Sequence, residues 1–338
     1  MAFYMYLSIT GEGKITLYEM DPDSGGLTFK EDVAAGAGVM PLVAGDGLER
    51  LYAGLRGEPS VQTYSLDRGT GRITLLGTTP FDWDTTYMSL DNTGRFLLSA
   101  SNGHAVAGVH AIGDDGIVQK APVDRQKTAR GAHYIQTDRS NRFAFVPHVS
   151  ESNTICQFKF DEHTGRLTPN DPPRVEQPPD TEPRHYCHHP TLDVLYVDNE
   201  KASSVTAYRF DPDRGTLEAM QTVSTLPAGF TCENTCAQFH IHPTGRFVYV
   251  SNRGHDSIAG FAIDQDSGLL RAIGQAPTEK TPRAFNLDPQ GRFLYAAGQA
   301  EGRLASYRID QDTGALAPLD VYDVGPSPAW VMVLDMDA

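Results

Sequence analysis

At 338 residues, with 40% hydrophobic and 21% charged content, the chain has the composition of a globular protein with a sizeable core. A formal net charge of −15 excludes general binding to nucleic acid or anionic membrane, because polyanions require a basic footprint. The 32 Gly and 22 Pro suit a chain that turns often, so many short strands are expected, and no run of roughly 18 apolar residues is present to span a membrane.

The first segment, FYMYLSIT, alternates like a strand and has no basic stretch before it. It therefore reads as structure and not as a signal peptide. From Lys14 comes KITLYEMDPDSGGLT: an alternating apolar strand, an acidic turn, a Gly, then a Leu or Ile. The phrase returns as SVQTYSLDRGTGRIT from Ser60, AVAGVHAIGDDGIV from Ala105, NTICQFKFDEHTGRLT from Asn153, SVTAYRFDPDRGTLE from Ser204, SIAGFAIDQDSGLLR from Ser257 and RLASYRIDQDTGALA from Arg303. The glycines Gly26, Gly71, Gly116, Gly165, Gly215, Gly268 and Gly314 step by about 45 to 53 residues, the period of a four-stranded propeller blade.

Upstream of each of the last six copies lies a second hairpin, with turns such as Asn92-Thr-Gly-Arg95, Ser140-Asn-Arg142, His242-Pro-Thr-Gly-Arg246 and Asp288-Pro-Gln-Gly-Arg292. Asp or Asn at the first position bonds the backbone and Gly takes positive φ, so the acidic turn residues are read as structural. The first copy lacks such a hairpin, and the last segment is PAWVMVLDM. The strand near Trp330 to Leu334 is therefore expected to complete the blade that the N-terminal strand begins, which removes free sheet edges. The predicted fold is all-β: a seven-bladed β-propeller of four-stranded blades, closed by its N- and C-terminal strands, one domain over residues 1–338. A closed propeller needs no partner for stability, so a monomer is expected.

Cys156, Cys187, Cys232 and Cys236 show no C-x-x-C spacing and no partner pair for a zinc site. They read as reduced thiols of a cytoplasmic protein, with a Cys232–Cys236 disulfide left open.

With the strands of a blade labelled A to D from the axis outward, antiparallel pairing puts the start of A and the end of B at one end. The A starts carry Arg130 and His133, Arg184 and His185, Gln238, Arg283 and Trp330. The B ends carry Asn102 and His104, His148, Asn199 and Glu200, Asn252 and Arg253, and Gln299. Cationic and amide side chains converging on one concave mouth suit an anionic, oxygen-rich ligand, because Arg offers a planar fork to carboxylate or phosphate.

The segments PRHYCHHP, VDNEKASSVTAYRF, FHIHPTGRFVYVSNRGHDSI, TPRAFNLDPQGRFLYAAGQ and GPSPAWVMV resemble the propeller-type lactonase family. That family contains bacterial 6-phosphogluconolactonases and is related to the eukaryotic carboxymuconate-lactonising enzymes. The resemblance implies catalytic roles for His133, Arg184, Glu200 and Arg253, with His185 and Arg283 beside them. Gln238 stands where many relatives carry an acidic residue, and PHVSESN replaces their Asp-Leu-Gly loop.

No G-x-S-x-G elbow or H-E-x-x-H motif is present, so neither a serine nucleophile nor a zincin-like site is supported. Lactone opening by water needs instead a general base and a cationic partner for the oxyanion. His133, which titrates in a useful range, is the first choice of base. Glu200 beside arginines is expected to stay ionised and to orient them. Arg184 and Arg253 are expected to stabilise the oxyanion and Arg283 to hold a remote anion. His185, Gln238, Asn252, Gln299 and His148 complete the expected substrate-binding set. His240 and His242 alternate on one strand, but His242 opens a turn and no third ligand is evident, so neither metal nor other cofactor is expected. The expected ligand is a small anionic or polyol lactone, phosphorylated or not. A lactonising isomerase using the same residues, and a non-catalytic propeller that binds through its rim, are the rival readings.

Overall fold

The apolar runs between the turns fold as short antiparallel strands, as their period-two patterning dictates. The protein is represented by a computed structural model that describes residues 2–45 and 47–337. Among these, the strands run from β1 (Phe3–Ile9) to β28 (Pro328–Asp335), form seven four-stranded sheets, and are accompanied by no helix. This is the seven-bladed β-propeller that the repeats predict. Blade 1 has the order β28-β1-β2-β3, with β2 at Lys14–Met20 and β3 at Leu27–Ala34. The last strand thus completes the blade of the first, with Phe3 opposite Asp335 and Ile9 opposite Pro328. Blades 2 to 7 each take four consecutive strands, within residues 39–80, 87–127, 136–176, 183–224, 235–277 and 282–323.

Position within a blade decides which residues are apolar. The B strands β17 (Val194–Asn199) and β25 (Phe293–Gly298) are buried at every position, whereas the D strand β27 (Leu316–Asp323) is mostly exposed. A strand covered on both faces reads as a continuous apolar run, and a half-covered one does not.

The chain divides into two compact units: unit I (residues 1–34, 185–209 and 219–338) and unit II (residues 35–184 and 210–218). In unit I a B-strand tyrosine repeatedly donates to the turn glycine of the following blade. Tyr196 reaches the Gly268 carbonyl at 2.8 Å, Tyr249 that of Gly314 at 2.9 Å and Tyr295 that of Gly25 at 2.8 Å. Gly314 has φ 73°, and a Cβ there would fall 2.5 Å from Cδ1 of Phe247, so the turn needs glycine for conformation and for space. In the first copy the glycine in this role is Gly25, with φ 77°, and not Gly26: Gly25 lies four residues after the turn's Asp21, as Gly314 does after Asp310.

In unit II the same latch joins Tyr52 to the Gly116 carbonyl at 2.9 Å. Blade 4 has Phe145 at this position, and Asn170 instead donates to the Gly215 carbonyl at 2.8 Å. The hairpin turns are structural, as expected. Asp138 accepts from the amides of Ser140, Arg142 and Phe143, while Arg142 donates to the Pro212 carbonyl at 2.6 Å.

Candidate functional site

The pairing of A starts with B ends holds sheet by sheet. Thr235 of β20 (Thr235–Ile241) lies opposite Arg253, the last residue of β21 (Phe247–Arg253). Pro282 of β24 (Pro282–Leu287) lies opposite Gly298 of β25. In blade 4 an isolated bridge joins Ala132 to His148, ahead of the short β12 (Gln136–Thr137). Four A strands carry a bulge at this end: β28, β4 (Val39–Ala44), β20 and β24. In β20, Cys236 pairs with Asn252 and Phe239 with Val250, so Ala237 and Gln238 together oppose Ser251. In β24, Arg283 is the extra residue between the Pro282–Gly298 and Ala284–Ala297 pairs. A bulge re-aims the side chain it carries, and the bulges of β20 and β24 carry expected site residues.

In unit I the structure brings Glu200 and Arg253 into direct contact. Arg253 Nη2 lies 2.8 Å from Glu200 Oε1 and also donates to the Cys236 carbonyl at 2.8 Å. The amide of Cys236 in turn donates to the Glu200 carbonyl at 2.9 Å, so the ion pair is tied to the backbone of the adjoining strand. The two side chains are 16% and 21% exposed, low enough for the charges to interact strongly and open enough for a ligand to reach them.

Asn252, beside Arg253, is fully buried and turned into the protein. It donates to the Thr225 carbonyl at 3.1 Å and to Ser257 Oγ at 3.3 Å. Its Oδ1 accepts from Thr225 Oγ1 at 2.7 Å and from Asn234 Nδ2 at 3.2 Å. Thr225 and Asn234 thus belong to the framework of Arg253. Both lie in the connection before β20, where no periodic pattern points to them.

Gln238 is buried, and its amide N lies 3.0 Å from His240 Nε2. Burial pushes His240 down to about 4, and its ring also hydrogen-bonds the Phe285 carbonyl. A neutral ring that donates to that carbonyl accepts at Nε2, so the Gln238 amide donates to His240 and keeps Oε1 as its acceptor end. His240 is the residue that sequence reasoning underused. Its alternation with His242 suggested a metal, whereas its alternation with Gln238 on the same strand is the pairing that forms.

His242 lies elsewhere, in its hairpin turn, with Nδ1 2.7 Å from Thr244 Oγ1 and Nε2 2.7 Å from the Gly291 carbonyl. Among the described residues no group of three His, Cys, Asp or Glu side chains is placed to hold a metal ion. His185 is buried, and its amide donates to Asp198 Oδ1 at 2.7 Å. Arg283 is half-buried, and the Gln299 amide donates to the Thr281 carbonyl at 3.0 Å. The four cysteines are free, Cys232 exposed and Cys236 buried, and burial raises the Cys236 thiol.

In unit II, His133 is 6% exposed and its amide donates to the Pro147 carbonyl at 3.0 Å, which sets it beside the end of β13 (Phe143–His148). His148 is fully buried, with Nδ1 3.2 Å from the Thr154 carbonyl, and burial pushes it down to about 4. It is a neutral histidine facing its own sheet. Arg184 is 2% exposed, at the second position of β16 (Pro183–His188).

Residues 5–333 match the family model described as lactonase, 7-bladed beta-propeller. The chain is 37% identical over 313 residues to the 6-phosphogluconolactonase of Pectobacterium carotovorum, covering 93% of each chain. It is 33% identical over 334 residues to that of Cronobacter sakazakii, covering 99% of each. Among solved structures, the periplasmic gluconolactonase of Pseudomonas aeruginosa aligns with a TM-score of 0.91 at 24% identity, covering 99% of this chain and 100% of the other. At that identity the likeness speaks for the fold alone.

Proposed function

The chain belongs to the lactonase family of seven-bladed β-propellers, and from that premise we propose that it hydrolyses the ester of a sugar-acid lactone, with 6-phosphogluconolactone as the first substrate to test. The observation that carries the reading is the Glu200–Arg253 pair, anchored to the Cys236 backbone and partly open to solvent. A carboxylate that fixes a guanidinium in this way presents it as a preorganised cation for charge that develops during reaction. The substrate choice rests on curated relatives at 37% and 33% identity that carry the name 6-phosphogluconolactonase.

In the proposed reaction His133 takes a proton from water as the water oxygen attacks the ring carbonyl carbon. Arg184 and Arg253 stabilise the oxyanion of the tetrahedral intermediate. Collapse of that intermediate breaks the ring C–O bond, and His133 returns the proton to the leaving oxygen, giving the open hydroxy acid. Glu200 orients Arg253. His185, Arg283, Gln238 and Gln299 bind substrate, while Asn252 and His148 support the binding residues from within. No cofactor takes part. The cytoplasm is the proposed compartment, a reading the four free thiols support.

The test is acid release from 6-phosphogluconolactone and gluconolactone, followed with a pH indicator and corrected for spontaneous opening. Acceleration that disappears in Arg253→Met is expected. Equal rates with and without the enzyme on both lactones would refute the reading.

A further inference from the structure

Away from the Glu200–Arg253 pair, unit II holds a second cluster at the A-start end of its blades. Asp84 lies between β7 (Ile73–Pro80) and β8 (Tyr87–Leu90), Arg56 directly after β5 (Arg50–Leu55), and His104 just after β9 (Phe96–Ser101). Three separate segments thus supply one group. Arg56 clamps Asp84 Oδ2 through Nε and Nη2, each at 3.1 Å. The other oxygen, Oδ1, accepts from Ser101 Oγ at 2.8 Å and from His104 Nδ1 at 2.9 Å. Both carboxylate oxygens are therefore committed inward, and Asp84 is only 18% exposed. The Arg56 and His104 side chains are the open members, at 33% and 46%. What the cluster offers to solvent is the part of the guanidinium that Asp84 leaves uncovered and an imidazole held through Nδ1.

The turn bearing His104 is also linked to the segment bearing His133. The Asn102 carbonyl accepts from the Gly131 amide at 3.3 Å, two residues before His133, and the Asn102 amide donates to Thr86 Oγ1 at 3.0 Å. The His104 turn is thus tied by a backbone hydrogen bond to the segment bearing the expected base, and Arg56 is tied to that turn through Asp84.

We propose that Arg56 and His104, braced by Asp84, form the subsite for the remote anionic group of the lactone and so set the preference for a phosphorylated over an unphosphorylated substrate. The proposal rests on the lactonase reading and assigns the remote anion to this pair instead of Arg283. A phosphate here meets the Nη edge of the guanidinium that the Asp84 clamp leaves over, with the outer nitrogen of the imidazole as its second hydrogen-bond partner. Asp84 is a positioning residue and has no contact with substrate in this arrangement.

The test compares kcat/KM for 6-phosphogluconolactone and gluconolactone in the wild type, Arg56→Gln, His104→Gln, the double variant and Arg283→Gln, with thermal melting as the folding control. Loss of one charge-assisted contact is expected to lower the ratio of the two constants about tenfold, mainly through KM for the phosphorylated substrate. A double variant that melts like the wild type and keeps its ratio would overturn the proposal, as would a ratio that responds only to Arg283→Gln. Calorimetric binding of 6-phosphogluconate and gluconate supplies a readout without turnover. If the wild type opens neither lactone, the lactonase reading fails. The subsite then stands if 6-phosphogluconate binds more tightly than gluconate and the double variant abolishes the difference, and it falls if the wild type binds both acids equally.

Discussion

Replacing Glu200 by Gln keeps its shape and removes its charge from Arg253, and the structure sets the size of the effect. Opposite charges about 4 Å apart attract by about 4 kcal/mol at an effective dielectric near 20. The side chains here are 16% and 21% exposed, so desolvation and screening remove part of this and leave a coupling of about 1–3 kcal/mol. Arg253 cannot easily turn elsewhere, because Nη2 is already shared with the Cys236 carbonyl and Nε is buried without an acceptor. Urea denaturation of the wild type, Glu200→Gln, Arg253→Met and the double variant isolates the coupling. The same four proteins are then assayed for lactone opening. Arg253→Met is expected to lower kcat about 100- to 1,000-fold, the usual cost of an oxyanion donor. Glu200→Gln is expected to cost about tenfold, since the guanidinium remains but is less well held. A coupling below about 0.5 kcal/mol, together with an unaltered kcat in Glu200→Gln, would refute the reasoning.

His133→Gln is expected to abolish most turnover while leaving the unfolding free energy from urea within about 1 kcal/mol of wild type, and full activity in this variant would remove His133 as the base. Acid should destabilise the protein through its buried histidines. His110, His148 and His240 are each pushed down by burial to about 4, against 6.5 in the unfolded chain. Between those values the unfolded chain takes up protons that the folded one refuses. Their contribution is therefore complete above about pH 6.5 and falls as pH drops towards 4, by about 1.4 kcal/mol per pH unit for each ring. His110, stacked on Phe81 at 3.9 Å, is the simplest to remove, and His110→Phe should flatten the pH dependence of the urea midpoint between pH 6.5 and 4.5. An unchanged slope would count against this account. At the blade turns, Gly314→Ala should cost about 2–4 kcal/mol, because it combines positive φ with a clash against Phe247. Tyr249→Phe, which loses only the 2.9 Å bond to the Gly314 carbonyl, should cost about 1 kcal/mol by the same melts.

The blades could be read from the sequence because their determinants are local. An Asp four residues before a Gly closes its turn with its own side chain and backbone, as Asp264 does with Asp266, Ser267 and Gly268. Such a unit declares itself wherever it recurs. Strand direction is equally local, so the Glu200–Arg253 meeting followed from knowing which strand ends lie together. The bulges at Gln238 and Arg283 are different. Nothing in TCAQFHI or PRAFNL marks Gln238 or Arg283 as the residue without a regular partner, because a bulge is a property of two strands and not of one.

The same reason hid the difference between Asn252 and Arg253. Both are polar residues at a B end, and sequence position treats them alike. Packing separates them, since Asn252 is closed in by Thr225 and Asn234 from the preceding connection while Arg253 keeps its outer edge open. That division has a physical use. A guanidinium on a strand end is mobile unless the backbone beneath it is fixed, and a fully bonded buried amide fixes that backbone at a low entropic cost per contact. The internal neighbour and the exposed cation are therefore two parts of one device. A Thr225→Val change, which leaves Arg253 untouched but removes a 2.7 Å bond to Asn252, should lower kcat more than its modest volume change would suggest.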